Sequence, residues 1–429
     1  MRGVIWRYEL RKALLSPVIL ALLALFIAFN LLFIAEQSYK RQDMAVLNEM
    51  AEQFGVQITD QMQDKLERYN QAQLAEMNEL TKTRTGEVYA QPGDFFTYDH
   101  FNAYVQEQPD LYLDAEISGF NRMRIIHDYA ARMHGIAEVY AMLDTSQMAL
   151  GQIQLYGLSG PAAEAVTGRY AELDGRIQQL VASGEYRHLF FDGNVYGAHS
   201  MLFKSLFRML LFELMILAVL LAVFLSKNEF EQHTHLLFYA AKHGRKLQTD
   251  KLLAALASAA VLTTVLAGVT LAIYFLTFSY KGLWQTPISS FFTWEPGMFF
   301  PFLTWRNVSF GVYFSCAVVL MYVLQLLFAA VAFVLGSFIR NSYLVYGSFA
   351  VLFGSLLLLG RLVPLSSELI FYTILTPFHL ILNPHIWFTA GGAFSMIRDW
   401  EWMTAGGWAI MLAILSLWCL RQFKRQDIH

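Results

Sequence analysis

A single carboxylate stands out among the residues that could do chemistry. Glu213 is the only charge in the otherwise apolar stretch 209–226. An ionisable group in such a segment faces a bundle interior or a watery cavity, as part of a pathway or as a packing contact. Asn30, in the charge-free stretch 13–35, falls at a similar depth and can share a hydrogen bond with it. Gln325, inside a third apolar stretch, carries the same two readings, pathway or packing. The histidines form two loose groups, His127 with His134 and His233, His235 with His243. Neither group has the Cys or carboxylate spacing of a metal site, so both read as solvated or interfacial. No G-x-x-x-x-G-K-[ST], H-E-x-x-H or G-x-S-x-G occurs. Gly157-Leu158-Ser159-Gly160 is one residue short of the last of these and reads as a turn. Cys316 and Cys419 lie in apolar stretches and read as small buried hydrophobes. No catalytic residue, metal site or resident cofactor is expected, and the chain is read as no enzyme.

Composition says what positions these residues. The chain has 429 residues, 56% hydrophobic and only 15% charged, against roughly 25% charged in soluble domains. Charge is unevenly spread. Residues 36–205 hold 24 of the 34 acidic and 13 of the 31 basic residues, a net of −11 within a total of −3. One acidic, water-facing block is therefore set into a basic, apolar framework. No basic tract is long enough for nucleic acid.

A spanning helix needs about 20 apolar residues. Seven windows qualify: 13–35, 209–226, 252–280, 307–339, 341–360, 369–397 and 402–420. The sixth contains Pro377, Asn383, Pro384 and Gly391-Gly392, and it reads better as a re-entrant or surface-lying hairpin before the last span. Six spans with both termini cytoplasmic then place 13 Lys/Arg in short inner segments and 4 in short outer ones. Lys227 and Lys251 count among the inner charges of the loop 227–251. Trp284, Trp294, Trp305, Trp387, Trp400 and Trp402 fall at the outer interface, where aromatic belts form. The first window is longer than a signal-peptide core and no A-x-A site follows it, so it reads as a retained anchor.

The chain thus divides into 1–35 (N-terminal helix and first span), an extracellular block 36–205, and 206–429 (spans two to six with the outer hairpin 364–401). The extracellular block is helical by pattern. Leu47, Met50 and Phe54, then Ile58, Met62, Leu66 and Tyr69, then Met77 and Leu80 step by threes and fours. Val166, Tyr170, Leu173, Ile177 and Leu180 repeat the step, and Gly55 interrupts the first run. Turn-rich stretches at 85–94 and 156–161 divide the block, and its end helices should run on into the flanking spans.

Two cytoplasmic segments carry the functional reading. In the N-terminal segment, Ile5, Trp6, Leu10, Ala13 and Leu14 share one helical face, so an amphipathic helix should lie in the inner interface before Ser16-Pro17. The loop 227–251 is acidic at its start, basic at its end and richer in apolar side chains than a solvated linker needs. Gly244 is a natural helix stop within it.

Glu231, Thr234, Leu236-Leu237, Gly244-Arg245 and Lys251 resemble, with slightly different spacing at the start, the E-x-x-x-T-x-x-L-L…G-R…K pattern of ABC-2 type permeases, the membrane subunits of ATP-binding-cassette exporters. Glu9, Lys12 and Ser16-Pro17 resemble that family's elbow helix, and Thr376-Pro377-Phe378…Asn383-Pro384 its outer re-entrant helices. The resemblance covers residues 1–35 and 200–429; the outer insertion and His233 before the Thr depart from the family plan. It implies an all-α polytopic bacterial plasma-membrane protein. It also implies ATPase coupling through Glu231, Thr234, Leu236, Leu237, Gly244 and Arg245. ATP and Mg would be bound by a partner ATPase subunit, with a second permease subunit, identical or related, and membrane lipid as further partners and no nucleic acid. A transducer that passes ATPase motion to a cell-wall partner without transport is the alternative.

Overall fold

The computed structural model describes residues 2–231, 247–294 and 301–425, with the side chains of 2–5, 194, 229–231, 424 and 425 left aside. The described chain is helical, and its only β pairings are isolated bridges such as Gln57 with His188. Among the described residues, six helices are long and apolar enough to cross a membrane, so this is a multi-pass membrane protein. They are Pro17–Phe54, Val195–Asn228, Leu247–Thr277, Phe310–Phe338, Ser342–Leu362 and Trp400–Phe423.

The first of these begins as α2 (Pro17–Glu36), passes through one 3-10 turn and continues as α3 (Arg41–Phe54). It follows α1 (Arg2–Leu14). Gly55 ends it at φ 93°, a conformation that a side chain would strain. The inserted block then folds as α4 (Asp60–Thr85), α5 (Asp114–Met133), α6 (Thr145–Tyr156) and α7 (Gly160–Ser183), with shorter pieces between. Thr59 caps α4 and Asp144 caps α6 through their side-chain oxygens. The apolar stripes expected in α3, α4 and α7 are the ones buried: Leu47, Met50, Met62, Leu66, Val166, Tyr170 and Leu173 among them. Chain returns to the bundle through Gly193–Ser200 and a π-helical stretch, Met201–Phe207, into α8 (Arg208–Glu231). Both ends of the insertion therefore run directly into spans, and one hydrophobic core extends from the insertion into the bundle.

The bundle comprises α2, α8, α9 (Leu247–Thr277), α10 (Phe310–Phe338), α11 (Ser342–Leu358) and α12 (Trp400–Arg425). Helix α8 is central and packs on α9 and α10. Spans Pro17–Phe54 and Ser342–Leu362 are the most exposed, as lipid-facing helices are.

The window 369–397 forms no spanning helix. It also forms no pair of facing helices. Instead it is a string of short pieces, Glu368–Tyr372, Pro377–Leu380 and Pro384–Ile386, joined by turns. The prolines and Asn383 deny it a continuous hydrogen-bond ladder. The insertion bonds to this segment and to the residues just before it: the Ser159 N–H donates to the Leu365 carbonyl and the Ala162 N–H to that of Ser366, both at 3.2 Å. Tyr170 donates to the Gly391 carbonyl at 2.6 Å, and Gln152 accepts from the Ala393 N–H at 3.0 Å.

Helix α1 packs along α9 rather than lying free. Its inward face differs from expectation: Glu9 and Ala13 are buried, while Trp6, Leu10 and Leu14 are half-buried. Positions 9 and 13 are one turn apart, and Glu9 sits within electrostatic reach of the fully buried Lys251 on α9. An acid on an otherwise apolar face is tolerated because a cation meets it there.

Candidate functional site

Three polar side chains meet inside the bundle and a fourth lies near them, each from a different helix. Asn30 of α2, Glu213 of α8, Thr270 of α9 and Gln325 of α10 are all buried. The Asn30 amide donates to Glu213 Oε2 at 2.8 Å and lies 3.4 Å from Thr270 Oγ1. Asn30 is wholly buried yet its Oδ1 has no hydrogen-bond partner among the described residues. Gln325 reaches the same helix as Glu213 two residues earlier, donating to the Leu211 carbonyl at 3.4 Å, and its Oε1 is likewise unpartnered.

Local sequence explains the arrangement. Helix α8 is apolar on every side around Glu213, so the carboxylate takes its solvation from whichever neighbour offers a donor. Asn30 is the only polar residue between Pro17 and Ala35. Among the described residues, no cationic side chain pairs with the carboxylate. The group is thus a buried acid held by an amide alone, an arrangement suited to receiving a proton or a cationic group.

Of the three intramembrane residues singled out by sequence, Asn30 and Glu213 are brought into direct contact. Gln325 approaches their helix but not their side chains. Glu231 closes α8, while Thr234, Leu236, Leu237, Gly244 and Arg245 lie outside the described residues, as do His233, His235 and His243. His127 is half-buried on α5 and His134 is exposed at its end. Cys419 is buried and Cys316 half-buried, and neither is in a disulfide.

Thr270 was not singled out by sequence reasoning, since α9 carries several threonines and only geometry distinguishes this one. Two lysines read as loop charges also prove otherwise. Lys227 and Lys251 are buried, at 4% and 0% exposure. Lys227 Nζ donates to the Gly336 carbonyl on α10. Gly336 gives α8 room: a Cβ there would stand 2.8 Å from Ser226 Oγ, so α8 and α10 approach closely at this point.

The insertion has its own charged contacts. Arg132 pairs with buried Asp192 at 2.5 Å, and burial holds that carboxyl above its usual range against the pull of the guanidinium. Arg176 pairs with Glu185 at 2.6 Å, and both are buried; its Nε donates to the Thr304 carbonyl at 2.8 Å. Ser289 donates to the same Glu185 oxygen. His188 is pushed below the usual histidine range by burial.

No family model, curated protein or solved structure matches the chain.

Proposed function

We propose that this chain is the membrane subunit of a bacterial ATP-binding-cassette exporter of the ABC-2 type. In this reading it hydrolyses nothing itself. A separate ATPase subunit binds ATP and Mg²⁺ and docks on 227–251, and a second permease subunit completes the path. Both termini face the cytoplasm, while the insertion 36–205 and the segment 364–401 lie outside. The substrate is a lipid, a peptide or a drug-like molecule, and Glu213 with Asn30 contributes to its path.

The observation that carries the reading is the buried Glu213–Asn30 contact on the most enclosed of six spanning helices. A lone intramembrane carboxylate is expensive to keep and marks a functional pathway by default. The motif in the loop that follows the same helix supplies the link to ATP. In the family that loop is where force enters.

A transducer is the second reading. It is favoured by the hydrogen bonds that tie the Ser159 and Ala162 backbone and the Tyr170 hydroxyl of the insertion to carbonyls in 365–391, since these suit transmission of motion to an outer partner.

The test is to change Leu236→Ala together with Leu237→Ala and to measure co-purification of the ATPase. Truncating buried interface anchors costs about 2 kcal/mol or more. The pair should weaken recovery of the ATPase while membrane insertion stays intact. Full recovery of the partner with undiminished ATP-driven activity would sink the assignment. ATPase activity stimulated by no lipid, peptide or drug, with the complex intact, would favour the transducer.

A further inference from the structure

A groove of about 440 Å³ runs between α4 and α5 near the end of the insertion farthest along α4 from its start. That volume is in the range of ligand-binding clefts. Its floor is apolar: Met77, Leu80, Phe120 and Met123. Beneath the floor lies a second small core, separate from the main one, in which Phe95 stacks edge-on against Tyr112 and Phe120 at 5.3 and 4.9 Å. Met77 and Phe120 belong to that core and are buried, so the accessible floor is half-buried Leu80 and Met123 resting on interlocked rings. Gly119 leaves the groove open, since even a Cβ there would meet no atom within 4 Å.

The rim is acidic and one-sided. Glu116 is taken up by Arg84, which donates to both its oxygens at 2.7 Å, and this hydrogen-bonded pairing holds its carboxyl below the usual range. Glu76 and Glu79 stand on the opposite rim, one helical turn apart and exposed. Neither is in an ion pair among the described residues; Glu76 accepts only from Gln73 at 3.2 Å. No basic side chain lines the groove.

We propose that this groove docks a cationic amphipathic peptide, with an apolar side chain against half-buried Leu80 and Met123 and Lys or Arg groups against Glu76 and Glu79. Charge complementarity selects the occupant. An anionic or zwitterionic ligand meets two free carboxylates at the rim, and a purely polar one gains nothing from the floor. The net of −11 across 36–205 steers cations toward it over a longer range. The docking stands on the groove alone. That the docked peptide is also cargo rests on the exporter reading.

The probe is a fluorescein-labelled helical peptide of Lys and Leu, titrated by anisotropy against the full chain in zwitterionic nanodiscs, with empty nanodiscs subtracted. Binding should weaken with added salt. Glu76→Gln with Glu79→Gln, both exposed and with no ion pair to lose (the Glu76→Gln side chain can still accept from Gln73), should weaken it about fivefold or more. Gly119→Leu, which fills the groove, should do so by about tenfold. Asp64→Asn with Glu67→Gln, the same spacing on the same helix outside the groove, should leave affinity unchanged. Equal losses in both acidic pairs, or no loss in the groove variants, would overturn the proposal, as would equal binding of a Glu/Leu peptide. ATP-driven movement of the peptide is measured separately: saturable docking without transport keeps the groove and removes the peptide from the exporter's cargo.

Discussion

The Asn30–Glu213 contact should behave as a coupled pair, and the coupling is measurable. Asn30→Leu leaves the Glu213 carboxyl without its 2.8 Å donor, in a site with no cation to replace it. Glu213→Leu leaves the Asn30 amide with only Thr270 at 3.4 Å, the edge of hydrogen-bond range, and adds to an Oδ1 that is already unpartnered. Each single change should cost about 1–3 kcal/mol, the penalty for stranding a buried polar group. The double change strands only Thr270 Oγ1, a loss it shares with Asn30→Leu, and the volume it adds is the sum of what the two single changes add. It should therefore cost less than the sum of the singles, by about 1–2 kcal/mol. That lies toward the upper end of interhelical hydrogen bonds measured in membranes, where the average is about 0.6 kcal/mol. Reversible unfolding in mixed micelles, followed by tryptophan fluorescence, gives the four free energies. Additivity within about 0.5 kcal/mol would refute the coupling. The same double variant separates the two roles of Glu213. If it is as stable as the parent but inactive, the carboxylate belongs to the pathway. If it is stable and fully active, the pair is packing only.

Two further outcomes follow from close contacts and from burial. Gly336→Ala puts a Cβ 2.8 Å from Ser226 Oγ and should cost about 1–3 kcal/mol in the same unfolding assay. Ser226→Ala should recover most of that loss, because the next atoms are at 3.5 and 3.6 Å, in ordinary contact; a Gly336→Ala variant as stable as the parent would refute the close approach. Burial lowers the affinity of His188 for a proton in the folded state, so acid favours the unfolded chain. As pH falls below about 6.5, the unfolded histidine takes up a proton first, and stability contributed by the neutral form is lost through the window down to the lowered folded value. Buried Asp192, with its raised affinity, acts in the opposite sense. The comparison therefore needs His188→Gln, whose melting temperature should fall less than the parent's between neutral and mildly acid pH; parallel curves would remove His188 from the acid response.

What was legible in the sequence follows from what periodicity records. The three- and four-residue steps of Leu47, Met62, Val166 and Tyr170 mark buried stripes because a helix buries one face whatever lies opposite. Asn30 and Glu213 were legible as a pair because each is conspicuous in an apolar stretch and only depth was needed to match them. Lys227 and Lys251 were not, because a lysine at the end of an apolar run looks like a snorkelling charge. Its partner here is a backbone carbonyl or an acid 242 positions away in sequence, and neither leaves a local signal. The bonds from Ser159 and Ala162 to 365–366 were hidden for the same reason: backbone donors and acceptors exist at every residue, so geometry alone selects them. The short pieces of 369–397 were half legible. Pro377 and Pro384 forbid a continuous span, but they do not say that turns would replace facing helices.

Continuity between spans and insertion has a mechanical consequence. Pro17–Phe54 is 38 residues long and Val195–Asn228 is 34, which at 1.5 Å per residue makes rods of about 57 and 51 Å. A tilt of about 10° at the membrane end of such a rod displaces its far end by about 10 Å. The 3-10 turn at Gln37–Lys40 and the π-helical stretch at Met201–Phe207 are the natural places for such a rod to flex. The two rods are joined across the bundle by Asn30 and Glu213, below both flexing points. Above them, α7 is bonded to the segment that precedes the last span. In the proposed exporter reading, motion entering at the end of α8 would have a hydrogen-bonded route to the insertion. Breaking the Asn30–Glu213 contact should uncouple the two rods while leaving each helix intact.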